Sequence, residues 1–481
     1  MLKNSAKKSF KWSLLIQLSN QVFGFIITLI LARILSPSDF GIIGILTIFI
    51  NLSKKITDGG LASSLIRTKE VNDRDFSTVF YFNLVCSISL YAILFIAAPF
   101  IAIFFKVPLI ENLLRVFGVT IILSTFTITQ SVKLNRSLNF KTQFKILLPS
   151  LLISAIAGIS SAYYGLGVWS LVIKELVFVT FSSAQLWLYS RWKPMWVFDK
   201  KSFRNHFHYG YKLVITDVIS QFFNDSNKAI IGKIFSPAQL GFFTRAQSMQ
   251  DLPNQIVFNT INRVLFPMLS KVQDSDIRLR DLYRQVIKII SFLVTPFLTL
   301  LYLVAKPLFI FLLTEKWLPA VPYFKILIIA GMIAPLQPYL LNICKVKGRS
   351  DMVLRLSLVE YFFISLSMLA IIPFGIYGLL WGLVVATIGK LMVAMYFSGK
   401  LIHYSIKSQL LDLKEGFVLS VIGFLWISGL QKGHVLPDNS PLLSLIVTST
   451  LYYILLILIA IFFKFEGVSN IKLLFKKNER N

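Results

Sequence analysis

Residues 30–44, ILARILSPSDFGIIG, return two hundred positions later as residues 230–244, IIGKIFSPAQLGFFT, with no insertion between the copies. Ile30/Ile230, Ile34/Ile234, Ser36/Ser236, Pro37/Pro237 and Gly41/Gly241 coincide, and Arg33 is answered by Lys233. Each copy closes an apolar run, crosses a Ser-Pro turn and opens the next run, so proline and glycine mark a boundary between two helices. Upstream at the same offset, Gln21 and Phe23 coincide with Gln221 and Phe223. Further echoes pair Arg136-Ser137 with Arg349-Ser350, and GLGVWSLV at 165–172 with GLLWGLVV at 378–385. Self-similarity of this kind predicts a chain of two related halves.

The composition makes lipid the solvent. Of 481 residues 56% are hydrophobic and 15% charged, with a mean hydropathy of +0.71, whereas soluble domains carry about a quarter charged residues. Apolar runs long enough to span a bilayer fall near 12–35, 40–64, 76–105, 109–132, 144–165, 166–190, 208–234, 240–265, 284–313, 320–344, 352–373, 375–402, 413–430 and 441–463. The expected fold is an all-α polytopic membrane protein of about 14 transmembrane helices. Two repeated six-helix bundles surround a central cavity, and a C-terminal helix pair without a counterpart looks peripheral. The lobes divide as 1–200, 201–402 and 403–481, the last part holding the extra helix pair and a basic tail. The start, MLKNSAKKSFKW, resembles a secretion signal, but the apolar run continues through Leu35 with no small-residue cleavage site and reads as a retained helix.

A net charge of +27 is spread between these runs and not gathered in one basic domain, which excludes nucleic-acid binding. Cations cluster in alternate connections, as at Lys54, Lys55 and Arg67, at Lys133, Arg136 and Lys141, and at Lys345, Lys347 and Arg349. The intervening connections, 36–39, 163–167 and 373–377, carry few or none. The positive-inside rule then places both termini in the cytoplasm. Both repeats begin from the same side, giving a parallel repeat about an axis normal to the bilayer. The lobes join through RWKPMWVFDKKSFRNH, 191–206, a basic and aromatic segment expected as an amphipathic linker at an anionic headgroup surface.

Cys86 and Cys344 lie inside apolar runs, so neither a disulfide framework nor a cysteine metal site is indicated. Histidines at 206, 208, 403 and 434 are scattered, and no GxxxxGK[ST], HExxH or GxSxG pattern occurs. No cofactor, metal or catalytic residue is expected, and function must be sought in polar groups within the spans.

An ionisable side chain at mid-bilayer costs about 2.5–3.5 kcal/mol on insertion scales, so it normally faces a bundle interior or a watered cavity. Asp217, Gln221, Asp225 and Lys228 are spaced four, four and three apart and share one helical face, with Asn224 beside them. The corresponding stripe of the first span is Gln17, Gln21, Phe25 and Thr28. Candidate substrate contacts are Gln17, Gln21, Arg33, Gln221, Lys228 and Lys233, with Asp217 and Asp225 as candidate ion-coupling groups. The same residues have a packing reading. Asp225 and Lys228 can neutralise one another as i,i+3 neighbours, the amides can join helices, and Arg33 and Lys233 can snorkel to the interface. Other embedded charges are Asp58, Lys174, Glu175, Arg245, Arg263, Lys325, Glu360 and Lys390. Cations outnumber acids among them, which suits an anionic substrate such as a diphosphate. Lys174 and Glu175 are adjacent, about 100° apart on a helix, and are not a natural mutual pair.

The segment NDSNKAIIGKIFSPAQLGFFTRAQSMQDLPNQ, 224–255, resembles the Wzx-type polysaccharide flippases of the multidrug/oligosaccharidyl-lipid/polysaccharide exporter superfamily, in particular the colanic and teichuronic acid exporter-like subgroup. Asp225, Ile231-Gly232, Leu240-Gly241, Arg245-Ala246 and Leu252-Pro253 match that subgroup's Asp, IG, LG, RA and LP positions, while Phe242-Phe243 stand where Tyr is frequent. ARILSPSDFG, DGGLASSLI at 58–66, LNRSLNFK at 134–141 and EKWLPAVPYFKIL at 315–327 are also similar, so the resemblance covers the chain to about residue 400.

The resemblance implies two bundles that rock about a central cavity to flip undecaprenyl-diphosphate-linked oligosaccharide across the bacterial inner membrane, for lipopolysaccharide or other surface polysaccharide biosynthesis. It implies a monomer that draws on an H+ or Na+ gradient and works beside a glycan polymerase and export machinery. The alternatives are a cation-coupled multidrug exporter of the same superfamily, disfavoured by the basic bias of the spans, and a membrane glycan polymerase, which would need a large outside loop absent here.

Overall fold

Long apolar runs fold as helices because a helix satisfies its own backbone where no water is present. The computed structural model describes residues 2–190, 192–437 and 440–467, without the side chains of 2–8, 10, 256–264, 266, 267 and 350; Arg263 lies among these. The described residues are almost entirely helical and contain no strand.

The helices of the first half are α1 (Leu2–Ile34), α2 (Pro37–Asp58), α3 (Leu61–Arg67), α4 (Asp73–Phe105), α5 (Leu109–Arg136), α6 (Phe140–Tyr163), α7 (Trp169–Ser190), α8 (Lys200–Ile234) and α9 (Pro237–Lys271). They continue as α10 (Asp276–Leu303), α11 (Ala305–Leu313), α12 (Ala320–Ile333), α13 (Gln337–Val346), α14 (Ser350–Leu369), α15 (Ile371–Leu401), α16 (Ile406–Lys432) and α17 (Pro441–Phe462). Every expected span falls on one helix or on two separated by a short break. Among the described residues eleven segments, counting α2 with α3 and α12 with α13, are long and apolar enough to cross a membrane. α8, α9 and α16 are long but richer in polar and charged residues, and lie outside that count.

The chain forms two compact units, Met1–Thr244 and Arg245–Asn481. In the first, α1 packs on α6, α5 on α4 and α7, and α8 on α2, α3 and α4. By sequence repeat α8 opens the second half, yet its packing partners are helices of the first.

The repeated stretch explains this placement. Ser36 caps α2: its hydroxyl accepts the Asp39 N–H at 3.3 Å, and the Asp39 carboxylate accepts the Ser36 N–H at 2.9 Å. Ser36 is thus the N-cap and Pro37 the first helical residue, where its missing N–H costs nothing. Ser236 repeats the arrangement, accepting the Gln239 N–H at 3.3 Å. The two turns then meet. A Cβ placed on Gly41 would fall within the carbonyl of Pro237, and one on Gly241 within the carbonyl of Pro37. The contact is reciprocal, as a parallel repeat requires, and only hydrogen fits at either position. At the other end of α8, Gly210 lies against Gly59 and Gly60: a Cβ on Gly210 would meet the Gly59 carbonyl at 2.5 Å, and one on Gly60 the Gly210 carbonyl at 2.5 Å. Gly59 and Gly60 both adopt left-handed backbone and make the α2–α3 turn after Asp58.

Residues 192–199 of the expected linker are non-helical with a bend at Trp196, because Pro194 interrupts helix formation and Asp199 caps α8 by accepting the Lys201 N–H. The segment hangs on the start of α4: the Met195 N–H donates to Ser77 Oγ at 2.9 Å and the Asp199 N–H to Thr78 Oγ1 at 3.0 Å. Trp192 is buried against Phe76 and Phe80.

In the second unit α14 packs on α15, which bends at Gly375, and α10 on α12 and α16. The last two helices are not peripheral to this unit. Arg284 of α10 grips Asp412 of α16 through Nε at 2.8 Å and Nη2 at 3.1 Å, and Tyr404 also donates to Asp412. Lys288 pairs with both Asp412 and Glu466, so α10, α16 and the segment after α17 are fastened together. Gly416 lets the two helices touch at the Ser291 backbone.

Candidate functional site

The α8 stripe is a connected polar cluster. Asp225 is buried at 3% exposure, deep in a helix that lipid would otherwise surround, and such a carboxylate must be compensated. Gln221 Nε2 donates to Asp225 Oδ2 at 2.6 Å and Lys228 Nζ to Asp225 Oδ1 at 2.7 Å. The i,i+4 and i,i+3 spacings thus place an amide and an ammonium on opposite oxygens of one carboxylate. Asn227, one step behind, is also buried, and its Oδ1 has no hydrogen-bond partner.

Asp217, two turns earlier, is exposed and lies 3.9 Å from Lys55 of α2. Lys54, beside it, reaches Glu175 of α7 at the same distance. Neighbouring lysines of α2 therefore engage two different helices. Lys174 turns away from Glu175, as expected of adjacent helical residues, and its stem lies over Gly158 of α6.

On α1, Gln17 and Gln21 are half-buried and lie beside an exposed apolar row of Leu18, Val22, Ile26 and Ile30. α1 leans on α6, with Trp12 against Phe144. Arg33 is exposed at the end of the helix. Lys233, its repeat partner, donates to the Phe104 carbonyl at 2.6 Å and lies 4.0 Å from the Phe104 ring centre. It thereby supplies a cation to the last turn of α4, whose carbonyls lack helical partners.

For the other embedded charges the pairings, not the groups, escaped sequence reasoning, because the partners lie on separate helices. Glu360 of α14 and Lys390 of α15 pair at 2.6 Å. Each is fifteen residues from Gly375, so hairpin register was the signal that could have found them. In the second unit Arg245 is buried, 5.8 Å from the Trp317 ring centre, and Lys325 lies over Tyr302.

At the start of α8, just before its apolar run, His206 is buried with Nδ1 2.8 Å from Ser64 Oγ and Nε2 3.8 Å from Asp75 Oδ1. Burial lowers the His206 pKa from its ordinary value, opposed in part by Asp75. Ser202 donates to the same Asp75 oxygen at 2.5 Å. Among the described residues no group of three or more His, Cys, Asp or Glu is gathered as a metal site.

Two helical units with many long apolar helices make this a polytopic membrane protein. Its fold matches that of a solved lipid II flippase, MurJ in an inward closed conformation, with a TM-score of 0.75 at 14% identity, covering 95% of this chain and 99% of that one. A multidrug resistance MATE family transporter in an inward-facing conformation follows with a TM-score of 0.63 at 14% identity, covering 80% and 94%. The chain belongs to the polysaccharide biosynthesis protein family, whose model matches residues 30–322. Similar relatives are an uncharacterized membrane protein in the cps region of Klebsiella pneumoniae, 24% identical over 81% of this chain and 80% of that one, and the lipopolysaccharide biosynthesis protein WzxC of Escherichia coli, 21% over 82% and 79%. The teichuronic acid biosynthesis protein TuaB of Bacillus subtilis is 20% identical over 76% of each chain.

Proposed function

We propose that the protein is a non-enzymatic flippase that carries undecaprenyl-diphosphate-linked oligosaccharide units from the cytoplasmic to the outer leaflet of the bacterial inner membrane. Membership of a polysaccharide biosynthesis family in a chain with a flippase-like fold is the observation that supports it most. Relatives named for lipopolysaccharide and teichuronic acid biosynthesis point the same way.

The physical need is plain. A diphosphate and its sugars cannot enter hydrocarbon without partners for their charges and hydroxyls. In this reading the lobes 1–200 and 201–402 alternate between inward-open and outward-open states differing by a few kcal/mol, and 403–481 travels with the second. Gln17, Gln21 and Gln221 contact sugar hydroxyls, and Arg33, Lys228 and Lys233 contact the diphosphate. Asp217 and Asp225 couple the cycle to H+ or Na+. The chain acts as a monomer with both termini in the cytoplasm, beside a glycan polymerase and export machinery.

A multidrug exporter is the second reading, favoured by the likeness to the MATE transporter. Embedded cations such as Lys228, Arg245, Lys325 and Lys390 are poor company for a cationic drug. Deleting the gene and assaying lipid-linked intermediates tests the choice. Completed units accumulating on the cytoplasmic leaflet are expected. Units accumulating on the outer leaflet, or an unchanged lipid pool with drug sensitivity, would overturn it.

A further inference from the structure

Residues 193–204, which lead into α8 and form its first turn, carry two properties. Met195, Trp196, Val197 and Phe198 are exposed at 42%, 93%, 38% and 48%. Lys193, Lys200, Lys201 and Arg204 are exposed, and their side chains have no ion pair or hydrogen bond among the described residues. Four apolar side chains and four free cations thus share a dozen residues. The depth of the segment is fixed by α4. Trp196 stacks on Tyr81, ring centres 5.8 Å apart, and Tyr81 lies two turns inside α4 from Asp73. Tyr189, at the end of α7, is also exposed. Exposed Trp196 stacked on Tyr81, with exposed cations beside it in sequence, has the composition of the boundary between acyl chains and headgroups.

We propose that residues 193–204 form a binding site for anionic phospholipid of the cytoplasmic leaflet. Lys193, Lys200, Lys201 and Arg204 take the headgroup phosphate, and Trp196 and Phe198 lie against the first acyl carbons. An acidic protein arriving from water would meet the cations but would have no use for apolar side chains at this depth. The site also has a route to the transport machinery. The segment is tied to α4 at Ser77, Thr78 and Asp75 and runs directly into α8, the helix that carries Asp225. Bound lipid therefore holds the start of that helix at the membrane surface.

The test uses the full chain purified in detergent, with phosphatidylglycerol and phosphatidylcholine as probes and bound lipid counted by native mass spectrometry. The wild type is expected to prefer phosphatidylglycerol by about tenfold or more, since each cation near an anionic surface adds to the attraction, and to lose the preference as salt rises. Lys193→Gln, Lys200→Gln, Lys201→Gln and Arg204→Gln combined should abolish it, whereas Lys193→Arg, Lys200→Arg and Lys201→Arg combined should keep it. Equal binding of the two lipids by the wild type, an unchanged preference in the glutamine variant, or capture of an acidic protein without lipid preference would overturn the proposal. Lipid binding is read without transport, so its failure and that of the flippase reading are separable.

Discussion

The two copies of the repeated stretch agree where they turn and differ where they lead in. Both Ser-Pro turns cap a helix through the same serine, and each glycine accommodates the other copy's proline carbonyl. Their lead-in helices have diverged. α1 carries Gln17, Gln21, Phe25 and Thr28, all uncharged, while α8 carries Asp217, Gln221, Asp225 and Lys228 on the corresponding face. The difference teaches that geometry held the turns alike, since neither can change without the other. The polar face had no such constraint and became asymmetric, with a buried charge pair in one repeat only.

The sharpest way to break this comparison is at the glycines. Gly41→Val and Gly241→Val should each destabilise the protein by roughly 3 kcal/mol, at the upper end of overpacking effects, and by similar amounts, because each forces a side chain into backbone. Thermal unfolding in detergent measures this, and a large effect at one glycine with none at the other would show that the contact is not reciprocal.

Asp225→Ala comes next. It leaves Lys228 without its carboxylate, at a cost of roughly 2–3 kcal/mol, reduced from fully buried pairs because Lys228 is partly exposed. Asp225→Ala with Lys228→Met should recover the stability but not surface-glycan export. Recovery of both would make the pair a packing device and restore the symmetry of the repeats. In α1 the matching Gln21→Ala should be milder on both measures.

At the C-terminal ends of α1 and α8, Lys233→Ala should cost about 0.5–1 kcal/mol by removing a cation from the end of α4. Arg33→Ala should impair export at matched protein abundance with little change in stability. Equal stability losses in the two variants would mean that both are anchors.

The smallest expected effect concerns the start of α8. His206 has a folded pKa below its unfolded value, so the unfolded chain binds more protons in the interval between them and stability rises with pH there. Acidification from pH 7 through the ordinary histidine range should therefore loosen the junction of α3, α4 and α8 modestly, and His206→Gln should flatten that slope in a pH-resolved melting series.

Much of the fold was legible because helices in lipid follow local rules. Apolar runs, Ser-Pro caps and the repeat are all contained in short windows. The Gln221–Asp225–Lys228 cluster was legible for the same reason, being built from i,i+4 and i,i+3 neighbours. Lys55 with Asp217, Glu360 with Lys390 and Arg284 with Asp412 were not, because each joins separate helices whose rotation no window reveals. The path of the linker was not legible in its basic and aromatic composition, because Pro194 and the Asp199 cap decide its backbone. The α16–α17 pair, without a counterpart in the repeat, reads as peripheral, yet Asp412 fastens α16 to α10.

The central claim, that this chain moves a lipid-linked glycan between leaflets, is tested most directly by reconstitution. Purified protein is placed in vesicles loaded with a fluorescent undecaprenyl-diphosphate oligosaccharide, and the fraction open to an external glycosidase is followed with time. The account predicts that the protein exposes the internal pool and that Asp225→Ala abolishes this at equal incorporation. A protected fraction that stays the same with wild-type protein, with and without an applied H+ or Na+ gradient, as in protein-free vesicles would contradict it.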